Sequence, residues 1–221
     1  MSGSRSEDLI RELARDLEPV QPIPRIRTVM AGVLALWFAV TAAGLAVLGL
    51  RPDLIEATFG THGLAFVLIG LGLAGCGSVV AACAMGVPGR ELLARSALCV
   101  SMLGMLVAVG VGALQLRTSS VTEAAVPFTG DLSCLAVAIL VGLLPAVVVI
   151  RFAARSAPLH PALMALATAS GAAALGAITA YASCPHCVMR HLVVAHALAP
   201  AFGALLLTLP LLVVLKRLGN S

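Results

Sequence analysis

Six apolar runs, each about as long as a lipid bilayer is thick, leave this chain few ways to fold. They lie near Thr28–Leu50, His62–Gly86, Ala94–Leu116, Leu132–Ile150, Pro161–Ala182 and His191–Leu215. A helix needs about 20 mostly apolar residues to cross the hydrocarbon core, and each run meets that length. Charged residues make up 11% of the chain and hydrophobic ones 60%, with a mean hydropathy of +1.06. Soluble domains carry roughly 25% charged residues, and 221 residues are too few to bury this much apolar surface as a water-soluble bundle. An outer-membrane barrel would show weaker alternating segments of about ten residues. The expected fold is all-α: a polytopic membrane protein built as a six-helix transmembrane bundle.

The net charge of +4 reads as a topology signal, and no direct nucleic-acid contact is expected. Eleven basic residues fall at one set of run ends: Arg5, Arg11, Arg15, Arg25, Arg27, Arg90, Arg95, Arg151, Arg155, Lys216 and Arg217. The other set holds three, Arg51, Arg117 and Arg190. The positive-inside bias places both termini in the cytoplasm, as expected of a bacterial cytoplasmic (inner) membrane protein. The first 27 residues are polar and lack the apolar stretch of a cleavable signal peptide. The organisation expected is a cytoplasmic leader (1–27), a six-span domain (28–217) embedded in lipid, and a cytoplasmic tail (218–221).

Within the leader, Ser6 to Val20 reads as one short amphipathic helix with Ser6 as its N-cap and Pro19 as its stop. Leu9, Leu13 and Leu17 recur at helical spacing with Ile10 and Ala14 beside them. A helix this short is marginal alone, so its stripe must dock on something. The leader mixes five acidic with five basic residues, which suits a protein groove better than an anionic lipid surface. Leu9, Ile10, Leu13, Asp16 and Leu17 are the partner-binding candidates.

Inside the runs, Gly70, Ala74 and Ser78 make a small-residue ladder, thinned further by Gly72 and Gly75, of the kind that lets helices approach closely. Pro145, Pro200 and Pro210 sit where each can kink a helix. Ionisable groups are nearly absent from the interior. His196 is the best candidate, and one histidine near an interface is a poor basis for ion-coupled transport.

The chemistry concentrates in Cys184-Pro185-His186-Cys187, a polar break before the sixth run. Alternation of loops puts it on the same outward face as Cys134, which opens the fourth run, so three thiols with His186, His191 and His196 could converge there. Cys76, Cys83 and Cys99 fall inside runs and are expected to be small packing residues. Cys134, Cys184 and Cys187 are instead candidates for redox or metal sensing. Near the N-terminus of the sixth helix, Cys184 and Cys187 would be thiolate-prone. Cys134, Cys184, Cys187 and His191 could together supply a tetrahedral metal site, for Zn²⁺ or a soft heavy metal. No resident cofactor is expected, so such a metal would be transient. A static disulfide stapling the outer ends of the fourth and sixth helices stays open beside these readings.

Taken together, the chain resembles the NrsF-like integral-membrane anti-sigma factors, negative regulators of extracytoplasmic-function sigma factors. The resemblance rests on the leader (Leu9, Leu13, Ala14, Asp16, Leu17, Pro19, Val20), the six spans, Cys134 at the opening of the fourth and Cys184-Pro185 before the sixth. It implies that the cytoplasmic part holds a sigma factor away from RNA polymerase and that the outward cysteines take part in sensing stress, such as thiol-reactive metals or oxidants. It also implies a protein that is not an enzyme. The competing class is a quinone-linked thiol–disulfide oxidase, which relays electrons through a second outward cysteine pair. Only Cys134 is left over here to serve as one.

Overall fold

The computed structural model describes residues 3–15, 25–60, 64–118, 128–156, 158, 160–185 and 188–219, which form helices and turns with no strand among them. The elements are α1 (Gly3–Arg15), α2 (Ile26–Leu48), α3 (Leu54–Phe59), α4 (Leu64–Met85), α5 (Glu91–Thr118), α6 (Phe128–Ala154), α7 (Pro161–Ser183), α8 (Met189–His191), a π-helical turn (Leu192–Ala197) and α9 (Ala199–Gly219). Six helices are long and apolar enough to cross a membrane, α8, the π turn and α9 counting as one. The expected all-α six-span bundle is therefore the fold observed. Large apolar side chains such as Leu106, Leu140 and Leu205 project from its outer surface, where lipid rather than water suits them.

α7 sits at the centre, against α4, α6 and α9. Its inner faces are built from alanine and glycine, so neighbouring backbones come very close. A Cβ at Gly176 would collide with the Ala138 carbonyl of α6, and one at Gly203 of α9 with the side chain of Ala173. α2 is pinned to this core by two polar contacts. Trp37 Nε1 donates to the Leu175 carbonyl at 3.1 Å, and the Thr41 and Thr179 hydroxyls meet at 2.9 Å.

α4 and α5 share the most extensive helix–helix contact. A Cβ on Gly70 would stand 2.6 Å from the Gly104 carbonyl, and one on Gly77 would stand 2.7 Å from the Ala97 carbonyl. Ser78 and Ser101 share a 2.7 Å hydrogen bond across the seam, and the Ser101 hydroxyl reaches the Ala74 carbonyl at 3.0 Å. The ladder of Gly70, Ala74 and Ser78 is thus a packing face, whereas Gly72 looks into open space. Of the three intramembrane cysteines only Cys83 is buried. Cys76 and Cys99 face outward, because the seam uses the glycine faces of their helices; their expected packing role is corrected.

Other boundaries differ from expectation. α1 is already helical at Gly3, three residues before Ser6, while Asp16, Leu17 and Pro19 lie outside the described residues. Leu9, Ile10 and Leu13 are exposed. α5 and α6 run past their apolar segments, so Asp131 belongs to the first turn of α6 and not to a loop. A carboxylate there is favoured by the helix dipole. Pro145 and Pro210 lie inside continuous helices. Pro200, the second residue of α9, lacks the N–H that an α-helix would aim at the His196 carbonyl in the π turn. The Leu198 N–H instead donates back five residues, to the Val193 carbonyl at 3.0 Å.

Buried apolar residues form two clusters. One gathers Val33, Cys83, Phe152, Met164 and Leu215, near the end where the chain enters α2. The other gathers Leu64, Leu71, Tyr181, Met189 and Leu192 at the opposite end. The polar groups described next lie beside the second.

Candidate functional site at one end of the bundle

Three elements converge here. Cys134 stands in the second turn of α6 and is half-buried. Cys184 caps the C-terminus of α7 in an extended conformation, its N–H donating to the Tyr181 carbonyl at 3.3 Å. It therefore belongs to the end of the fifth span, five residues before α8 begins, and not to the N-terminus of the sixth helix. Pro185 after it prevents α7 from continuing. His191 closes α8, and His196 lies within the π turn.

The contacts form a chain. Cys134 Sγ donates to Cys184 Sγ at 3.4 Å, Cys184 Sγ lies 3.1 Å from His191 Nε2, and His191 Nδ1 lies 2.6 Å from Asp131 Oδ1. The carboxylate accepts from Nδ1–H, which leaves Nε2 to accept the Cys184 thiol or to ligate a metal. Both cysteines are free thiols, separated by more than the roughly 2.05 Å of a disulfide bond. They sit on the fourth and fifth spans, so a disulfide between them would join α6 to α7. A staple made through Cys184 would therefore not reach the sixth helix as expected, and one made through Cys187 lies outside the described residues.

His196 is 1% exposed, and neither ring nitrogen has a hydrogen-bond partner among the described residues. Its ring meets His191 edge-on at 5.3 Å and Tyr181 at 6.0 Å. One ligand atom from each of Cys134, Cys184, His191 and His196 falls within 4.8 Å of all the others. Two thiols and two imidazoles so placed can hold a metal ion.

The segment after α2 closes this end from the side. The Arg51 N–H donates to the Ala182 carbonyl at 3.0 Å, and its guanidinium forks onto Asp53 at 2.9 and 2.8 Å. The same guanidinium lies over the Tyr181 ring at 5.3 Å, a cation–π contact. The Tyr181 and Thr58 hydroxyls are 3.4 Å apart, which ties α3 to α7.

Of the residues singled out from sequence, the structure brings Cys134, Cys184 and His191 together, and Cys187 lies outside the described residues. Loop alternation already put His196 among the groups that could converge on this face, but the ligand set read from spacing held Cys187 in its place, and Asp131 was not grouped with them. Asp131 lies three residues before Cys134, a separation that shares a helix face, and that signal was available. The five-residue step from His191 to His196 puts them roughly 140° apart on an α-helix; only the π turn brings them to one point.

A family model described as "NrsF: Negative regulator of sigma F" matches residues 13–216. No curated protein and no solved structure matches the chain.

Proposed function

The chain belongs to the NrsF family, and from that premise we propose that it is an anti-sigma factor embedded in the bacterial inner membrane, which sequesters an extracytoplasmic-function sigma factor and releases it when Cys134 and Cys184 are modified. The family is regulatory and not catalytic, which separates this reading from the quinone-linked oxidase. The observation that carries the sensing half is the approach of the two thiols to 3.4 Å at one end of the bundle. Two thiols that close together report an oxidant by coupling and a soft metal by shared ligation.

In this reading the leader is cytoplasmic, and Leu9, Ile10 and Leu13, exposed on α1, together with Asp16 and Leu17, dock in a groove of the sigma factor. The thiols face outward, and the thiol-reactive metal or oxidant acts from there. Modification changes how α6, α7 and α8 meet. Packed helices have discrete arrangements, so a small shift at one end biases the other. Turning a partner from almost wholly bound to almost wholly free takes a differential of about 5.5 kcal/mol. Thiolate-rich metal sites bind with about 10–16 kcal/mol, which leaves room for that difference.

The test is affinity purification of the tagged full-length protein from native membranes in mild detergent, with mass spectrometry of what co-purifies, with and without thiol-reactive stress. A sigma factor bound at rest and lost under stress is the expected result. A mixed disulfide to a periplasmic oxidoreductase, with no sigma factor, would sink the proposal.

A further inference from the structure

We infer that Cys134, Cys184, His191 and His196 form one four-ligand site for a borderline-to-soft divalent cation such as Zn²⁺ or Cd²⁺, and that the π turn carrying His196 completes it. The inference deepens the sensor reading, resting on the same two thiols, and names the ligand class and the full donor set.

Size fits first. A tetrahedral ion with bonds of about 2.0–2.3 Å holds its ligand atoms roughly 3.3–3.8 Å apart. The four donors here are already within 4.8 Å of one another, two of the gaps being 3.4 and 3.1 Å. Closing the rest takes a shift of about 1 Å or less, within the reach of side-chain torsions.

Charge fits next. Two thiolates cancel a dication, so the loaded site is neutral and suits a place where three of the four donors are buried. Binding exchanges protons for metal: M²⁺ and two thiols give the dithiolate complex and two protons. The S–H groups that now bridge Cys134 to Cys184 and Cys184 to His191 are the ones given up.

The imidazoles carry the most specific signal. A buried polar group without a partner is costly and uncommon, yet among the described residues neither nitrogen of His196 has one, beside two thiols. A metal gives one of them its partner. His191 is prepared differently, since Asp131 holds its Nδ1–H and presents Nε2 to the sulfurs, the carboxylate–histidine arrangement that orients metal ligands. Soft sulfur and borderline nitrogen donors together select zinc-like and cadmium-like ions over magnesium or calcium.

The experiment uses the full-length chain, reduced and purified in detergent, titrated without oxygen with Co²⁺ and then Zn²⁺. It involves no sigma factor, so failure of this site and failure of the anti-sigma reading are seen separately. Expected are one metal per chain, a thiolate-to-cobalt charge-transfer band, the visible bands of tetrahedral cobalt, release of two protons per metal, and displacement by Zn²⁺. His196→Ala should lose the tetrahedral bands, Cys187→Ala should keep them, and Asp131→Asn should keep them with affinity lowered about 10–100-fold. Wild-type protein without thiolate charge transfer would overturn the inference, independently of how any variant folds. So would a His196→Ala spectrum and affinity equal to wild type, or loss of the bands in Cys187→Ala.

Discussion

The sulfur atoms of Cys134 and Cys184 stand 3.4 Å apart although fifty residues separate them in sequence. That gap exceeds a disulfide bond by about 1.4 Å, within the range a χ1 adjustment spans. In protein carrying Cys76→Ala, Cys83→Ala and Cys99→Ala, mild copper–phenanthroline oxidation should therefore couple Cys134 to Cys184. Peptide mapping reads the product, and a bridge from Cys187 to either thiol in its place would show that the described geometry is not the reactive one.

Cys134→Ser and Cys184→Ser should leave repression of a sigma-dependent reporter intact and bring its induction by cadmium or diamide down to near the basal level. The hydroxyl keeps the size of the thiol but is a poor soft-metal ligand and cannot form a disulfide. Full induction in the double variant would remove the thiols from the mechanism.

Leu13 lies exposed on α1, away from any buried cluster. Leu13→Glu should therefore leave the amount of protein in the membrane unchanged while abolishing co-purification of the sigma factor. Retention of the partner at wild-type yield would move the binding surface off the apolar stripe.

The α4–α5 seam makes a sharper demand. A Cβ on Gly104 would stand 2.5 Å from both the Ala74 nitrogen and the Gly70 carbonyl oxygen, so no side chain fits without parting the helices. Gly104→Leu should cost at least about 1–3 kcal/mol, read as a lowered melting temperature in detergent. Gly72→Leu, facing open space, should stay within about 0.5 kcal/mol of wild type. Equal effects would mean that the two helices do not meet at these glycines.

Across the same seam, Ser78 and Ser101 should couple weakly. Interhelical hydrogen bonds in membranes average about 0.6 kcal/mol, since each hydroxyl can find another acceptor when its partner is removed. A double-mutant cycle on Ser78→Ala and Ser101→Ala should return a value of that order. A coupling near zero would mean that the 2.7 Å contact adds nothing beyond what other acceptors supply.

Hydrophobic length made the six spans readable before any coordinates, because a bilayer demands about 20 apolar residues whatever their neighbours. Cys134 and Cys184 were readable as a shared face from loop alternation alone. The same alternation put His196 at that face, but spacing could not give it the role of a ligand beside His191, since the periodicity rule assumes 3.6 residues per turn and the segment Leu192–Ala197 departs from it. Asp131 was hidden by another habit: the polar stretch before the apolar run looked like loop, whereas the helix extends through it to Phe128. The short helix Leu54–Phe59 carries too few residues for any period to show.

The alanine lining of α7 has a mechanical consequence. Eight buried alanines between Ala165 and Ala180 face its neighbours, and alanine has no side-chain torsion to turn. A leucine-lined rod can swallow a small displacement by shuffling rotamers along its length; this one has fewer to shuffle, chiefly those of Met164, Leu175 and Tyr181. Cys184 is fixed to one tip and Pro161 forms the other, 23 residues or about 34 Å away. On the proposed sensing mechanism, a tug on the first tip would lose little to side-chain rearrangement on its way to the far one, as along a push-rod.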